Sequence, residues 1–142
     1  MPINWANYNT ALEPSMGDGR LLNFLLSKGL NATGLDVIHN NQDFLQWKGK
    51  VDLIITNPPF SKARQFAEHA ITKCNTLILL QRLNWLGSKI RHDFWQEHKP
   101  DSIFVLSRRP SFDREGTDMT EYAWFVWQND EKFIESGIHH IK

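Results

Sequence analysis

The chain has 142 residues, with 41% hydrophobic and 23% charged side chains and a formal net charge of zero. That is enough chain for one domain with a real core. The balanced charge gives no support for tight, non-specific nucleic-acid binding, which usually shows as a basic excess or stripe. One cysteine, Cys74, excludes an intramolecular disulfide and reads as a buried, inert thiol. The N-terminus, Met1 to Trp5, lacks a basic stretch followed by an apolar one, so no signal peptide is expected. No apolar run approaches membrane-spanning length, which places the expected protein inside the cell.

Residues 1–9 read as an irregular lead-in or a short helix. Thr10-Ala11-Leu12 is a short strand ending at Glu13-Pro14. Ser15-Met16-Gly17-Asp18-Gly19 is a turn, and the leucines and phenylalanine of 21–26 follow at helical spacing until Lys28-Gly29. Residues 31–36 form a second strand ending on Asp36, and 43–47 a short turn or helix. Val51 to Thr56 is a continuous apolar strand of the parallel-sheet kind, stopped by Asn57-Pro58-Pro59. A helix over 61–73 carries Ala63, Phe66, Ala67, Ala70 and Ile71 on one face. Strands are expected at 76–80, 103–106 and 122–127, a helix at 84–98, and a last edge strand at 134–141. The alternation implies a parallel α/β sheet with right-handed crossovers. The last two strands have no helix between them and are expected to pair antiparallel at one edge. The long irregular segment 107–120 is a candidate functional loop.

Two segments carry chemistry. The first is Glu13-Pro14-Ser15-Met16-Gly17-Asp18-Gly19, where glycines allow a sharp turn and close approach of a ligand. Asp36 lies 17 residues past Gly19, in the region where a carboxylate meets ribose hydroxyls. A third glycine is missing, and Glu13 and Asp18 would repel phosphate. A cationic ligand without phosphates suits the acids better. The second segment is Asn57-Pro58-Pro59-Phe60. Its prolines fix φ and remove donors, leaving the Asn57 side chain and the Pro58 carbonyl as rigid acceptors beside a flat Phe60 ring. That pattern suits a planar group bearing an amine. The six tryptophans, Trp85 with Trp95 and Trp124 with Trp127 among them, read as core and sheet packing. The six histidines show no metal-ligand spacing.

Together the Glu-Pro-Ser-x-Gly-Asp-Gly run and the strand-ending Asn-Pro-Pro-Phe resemble the S-adenosylmethionine (SAM) dependent amino-methyltransferases, especially the N6-adenine DNA methyltransferases. The likeness runs from about residue 10 to 128, through Arg82 to Ser88, Ser107 to Phe112, Gly116-Thr117-Asp118 and Tyr122 to Trp127, and is closest to a small phage and prophage subgroup. It implies a Rossmann-like class I methyltransferase fold: a mostly parallel sheet of the seven-stranded type, whole or trimmed, with an antiparallel edge hairpin. It implies one catalytic domain over 1–142 with no separate target-recognition domain. It implies SAM as cofactor. Glu13, Pro14, Ser15, Gly17, Asp18 and Gly19 would line its amino acid and sulfonium, Asp36 its ribose, and Asp43 and Phe44 its adenine, with Asn57 between cofactor and target. Asn57, Pro58, Pro59 and Phe60 would be the catalytic segment, gripping the target amine and stacking on its base.

A duplex substrate would need its base flipped out. Lys62, Arg64, Arg82, Arg108 and Arg109 are the candidate DNA contacts, with Lys89, Arg91 and Arg114 as further basic positions. A missing recognition domain points to weak sequence specificity, a partner subunit or a homodimer that supplies the groove. The expected setting is the cytoplasm of a bacterial host. Two other activities stay open: methylation of an RNA base or a protein glutamine amide, and a SAM-binding or SAM-consuming accessory role.

Overall fold

The computed structural model describes residues 2–37, 41–87, 91–107, 121–129 and 131–141. Seven strands form one sheet: β1 (Thr10–Glu13), β2 (Asn31–Gly34), β3 (Val51–Thr56), β4 (Cys74–Arg82), β5 (Ser102–Leu106), β6 (Tyr122–Gln128) and β7 (Gly137–Ile141). Their order is β2-β1-β3-β4-β6-β5-β7. Every neighbouring pair is parallel except those of β6, which runs antiparallel to both β4 and β5.

Apolar residues cover both faces, as a parallel sheet requires. On one face Leu12, Ile54, Leu77, Leu79 and Phe125 pack with Ala63, Phe66, Ala67 and Ala70 of α2 (Ala63–Ile71) and with Phe94 of α3 (His92–Glu97). On the other, Ala11, Leu53, Ile55, Ile78 and Val126 pack with Leu25 of α1 (Arg20–Ser27). Trp85 and Trp127 belong to the first core, and Trp124 packs at the edge of the second. Cys74 is buried, and burial pushes its thiol up to about 12.

The α/β class and mostly parallel sheet match the reading of the sequence. The pairing of the last two strands does not. β6 and β7 are not partners: β6 lies inside the sheet, and β7 forms the far edge, parallel to β5. The residues explain this. Tyr122 to Gln128 is almost wholly buried, which suits a central strand, whereas Gly137 to Ile141 is mostly exposed and half polar. Ile134, expected at the start of the last strand, is instead a buried plug, its N–H bonded to Gln128 Oε1 at 2.9 Å.

The expected helix at 84–98 is also divided. A 3-10 turn, Leu83–Leu86, ends at Gly87 in extended geometry, and α3 begins at His92. Arg91 pins the turn by donating to the carbonyls of Trp85 at 2.9 Å and Gly87 at 3.0 Å. Among the described residues, no helix is long and apolar enough to cross a membrane.

Candidate active site

The chain leaves β1 for β2 on one side and returns to β3 on the other. Strand order therefore reverses at β1, and a crevice opens beyond the carboxyl ends of β1 and β3, where open α/β sheets bind ligands. Both chemistry-bearing segments lie there. Glu13 ends β1, Asn57 to Phe60 follow β3, and Asp36 lies two residues past β2.

Glu13 is the centre of the site's electrostatics. It is 2% exposed, accepting from Thr56 Oγ1 at 2.7 Å and from the Ser15 N–H at 2.6 Å. Burial pushes its carboxyl up from 4.5 to about 7, against the lowering effect of those bonds; the nearby Asp36 charge adds to the rise. Ser15 Oγ lies 2.7 Å from Thr56 Oγ1 and donates to the Asn57 carbonyl at 3.1 Å. Glu13, Ser15, Thr56 and the Asn57 backbone thus form one network that ties the glycine turn to the proline segment.

The turn is stitched to β2 as well. Met16 N–H donates to the Leu35 carbonyl and Leu35 N–H to the Glu13 carbonyl, each at 2.9 Å. Gly17 N–H donates to Asp36 Oδ2 at 3.1 Å. Gly19 caps α1 in the left-handed region, at φ 88°. A side chain on Gly17 would meet nothing within 4 Å, so its backbone faces open space that a ligand can enter.

A cavity of about 300 Å³ lies beside this turn, lined by Pro14, Ser15, Asp36, Val37, Asp43, Phe44, Pro59, Lys62 and Phe66. It brings together cofactor candidates from all three expected segments. Asp43 caps the 3-10 turn Phe44–Gln46, accepting from the Leu45 N–H at 3.0 Å. Phe44 is 1% exposed and packs its ring against Phe66 at 5.1 Å, so it forms a wall rather than a free stacking platform. The lining suits a cationic nucleoside without phosphates: the Asp36 and Asp43 carboxyl groups, an apolar wall and an open backbone turn, with the Glu13 carboxyl buried behind it.

At the proline segment, Asn57 Oδ1 is buried with no hydrogen-bond partner among the described residues. Phe60 is 45% exposed. The Arg82 guanidinium stands over its ring at 4.5 Å, and Tyr122 lies 6.4 Å from it on the neighbouring side. Arg82 Nε also donates to the Tyr122 hydroxyl at 3.4 Å.

The other basic candidates divide. Lys62 lines the cavity. Arg64 is the second residue of α2, with its Nε 2.8 Å from Glu68 Oε1, and Asp18, which does not line the cavity, pairs with Arg20 at 2.9 Å. Arg108 and Arg109, like Lys89 and Arg114, lie outside the described residues. Two neighbours of these segments were not singled out in the sequence as site residues: Thr56, the hydroxyl that ends β3, and Tyr122, which opens β6.

No protein-family model matches the chain, and no curated protein does. Solved structures do. The fold resembles a candidate class I SAM-dependent methyltransferase from Listeria monocytogenes, with a TM-score of 0.63 and 14% identity, covering 93% of this chain and 57% of that one. It also resembles a candidate RNA methyltransferase from Pyrococcus horikoshii, at TM-score 0.65 and 14% identity, covering 84% and 72% of the two chains. A third likeness, to a Thermoplasma acidophilum protein, has TM-score 0.57 and 18% identity and covers 89% and 83%. The chain therefore has the Rossmann-like fold of the class I SAM-dependent methyltransferases. It spans a little over half the length of the Listeria protein.

Proposed function

We propose that the chain is a SAM-dependent methyltransferase acting on an exocyclic amine of a nucleic-acid base, adenine N6 in DNA being the acceptor its motif favours. The observation that carries this reading is Asn57 Oδ1, buried and without a hydrogen-bond partner among the described residues, next to the segment that lines the acidic crevice. A buried acceptor without a donor is costly, and functional sites are where such atoms are kept.

Glu13, Asp36 and Asp43 would hold the cofactor: Asp36 at the ribose hydroxyls, Glu13 at the cationic methionine end, Asp43 at the adenine edge. Bound SAM supplies an electrophilic methyl group on a sulfonium centre. The chain's own task is to make a conjugated amine nucleophilic. Asn57 Oδ1 and the Pro58 carbonyl would accept its two hydrogens, favouring a more tetrahedral nitrogen whose lone pair points at the methyl group. Phe60 would hold the ring by stacking once the Arg82 guanidinium yields its face. Alignment and electrostatics then supply most of the rate.

The test is transfer of labelled methyl from SAM to unmethylated DNA, with RNA and protein extract in parallel. We expect N6-methyladenine in DNA, and its loss in Asn57→Ala with SAM affinity kept within severalfold. Label in RNA instead would move the acceptor while keeping the chemistry. Loss of SAM binding in Asn57→Ala would overturn the role given to that side chain. A partner subunit or second copy supplying the DNA groove belongs to the same reading: Arg64 pairs with Glu68, and Arg82 is held against Phe60 and Tyr122.

A further inference from the structure

Three contacts run in a row from the cofactor side of the crevice to the acceptor side. Glu13 Oε1 lies 2.7 Å from Thr56 Oγ1, Thr56 Oγ1 lies 2.7 Å from Ser15 Oγ, and Ser15 Oγ lies 3.1 Å from the Asn57 carbonyl. Ser15 lines the cavity, Glu13 is buried behind it, and Asn57 opens the proline segment. Glu13 also accepts the Asn57 N–H. Both backbone polar groups of Asn57 are therefore tied to one cluster.

The row needs one proton per contact. A neutral Glu13 supplies the last of them. Its Oε2 already accepts the Ser15 N–H at 2.6 Å, so its proton sits on Oε1. Glu13 then donates to Thr56, Thr56 to Ser15, and Ser15 to the Asn57 carbonyl. An ionised Glu13 leaves the row one proton short. The Thr56 hydroxyl donates to the carboxylate, because that bond is charge-assisted. If Ser15 kept its bond to Asn57, two hydroxyl oxygens would face each other at 2.7 Å with no hydrogen between them. Ser15 therefore turns to Thr56, and the 3.1 Å bond to Asn57, the longest of the row, is given up.

Asn57 Oδ1 is buried, so no acceptor amine can reach it until Asn57 shifts. While Ser15 holds the carbonyl, that shift is resisted. Asp36 acts on Glu13 by its charge and favours the neutral form; Asp43 and Lys62 also line the cavity. A cation in the cavity favours the ionised form. We propose that Thr56 and Ser15 are positioning residues, which hold Asn57 back until a cationic cofactor ionises Glu13 and so frees it to meet the acceptor. The proton lost by Glu13 goes to bulk water. Cofactor then binds before acceptor. This rests on the methyl-transfer reading above and adds an order of binding to it.

The test uses an oligonucleotide that the wild-type chain labels from SAM, and sinefungin, an unreactive SAM analogue with an amine in place of the methylated sulfonium. Fluorescence anisotropy gives the oligonucleotide Kd with and without the analogue, at a pH about one unit below the Glu13 value of about 7. We expect the analogue to tighten binding by about fivefold or more, the lower range of couplings between sites. In Thr56→Val the ratio should fall towards unity with weak binding throughout, because Ser15 stays on Asn57 whatever the charge of Glu13. In Ser15→Ala it should also approach unity, but with tight binding throughout. General loss of structure would not move the two variants in opposite directions. Thr56→Ser keeps the hydroxyl and should restore the ratio. The wild-type chain alone gives a second reading if a variant fails to fold. Without the analogue, its affinity for the oligonucleotide should rise as pH passes through about 7, where Glu13 ionises unaided. No tightening by the analogue, no such rise with pH, or an undiminished ratio in folded Thr56→Val would overturn the inference and leave methyl transfer standing. A wild-type chain that labels no oligonucleotide would overturn the methyl-transfer reading, and this inference with it.

Discussion

Glu13 and Asn57 stand in the same crevice in opposite states. Glu13 is fully bonded yet strained by burial; Asn57 keeps an acceptor with nothing to accept. Different measurements expose the two. Because the Glu13 carboxyl is raised from 4.5 to about 7, the folded chain holds its proton more tightly than the unfolded chain does. Its contribution to stability is fully present below pH 4.5 and is lost as pH rises through about 7. Urea unfolding across that window should show the decline, and Glu13→Gln should flatten it. A flat wild-type profile would contradict the buried, protonated carboxyl. If a cationic cofactor binds beside it, Glu13 should ionise on binding. SAM affinity should then strengthen up to about pH 7, with proton release visible as buffer-dependent heat in calorimetry. Asn57→Ala makes the contrasting case. Its Oδ1 stabilises nothing in the folded chain, so the variant should unfold within about 0.5 kcal/mol of wild type, or be slightly more stable. A loss of 2 kcal/mol or more, on the order of a buried hydrogen-bond network, would show that Asn57 is structural.

The elements hold these side chains by means that differ in how well the sequence announces them. α1 starts at Gly19 with φ 88°, and its carbonyl accepts the Asn23 N–H at 2.8 Å. A Cβ there would come no nearer than 3.8 Å to Asn23 Nδ2, so Gly19→Ala is resisted by backbone conformation and not by crowding. The cost should be about 1–2 kcal/mol in denaturant unfolding. SAM affinity should fall with it if the turn is the cofactor's cradle. The strand ends β1 and β3 were legible because their stops are chemical: Pro14 and the Pro58-Pro59 pair end extended runs without ambiguity. The assignments of Glu13 and Asn57 to strand ends followed from those stops. Helix 84–98 was not legible, because the periodicity of Leu86 and Phe94 runs across Gly87 without registering its extended geometry. Thr56 was hidden for a different reason. A threonine at the end of a β-rich segment reads as β-propensity, and only the fold brings Glu13 and Ser15 within reach of its hydroxyl.

Across the whole molecule, local pattern set the class of the sheet, whereas long-range pairing set its order. Nothing local distinguishes a strand that enters between two earlier strands from one that adds to an edge; the burial of Tyr122 to Gln128 on both faces is the only hint. Phe125, 0% exposed and ringed by Trp85, Trp95 and Trp127, anchors that insertion. Phe125→Ala should cost about 3–5 kcal/mol by thermal or urea unfolding, and a loss below 1 kcal/mol, roughly that of an exposed site, would contradict its place in the core. The insertion also bears on how the chain is made. β4 and β5 leave the ribosome before β6 does, and neither can pair directly with the other once the native order is reached. Until residue 128 has emerged, β4 carries an open apolar edge through Leu77, Ile78, Leu79 and Leu80. Synthesis therefore passes through a stage in which half the sheet waits with a sticky border, the condition under which nascent chains associate wrongly or need a chaperone. A chain stopped at residue 121 should be insoluble or unfolded although it contains every residue of the proposed cofactor crevice.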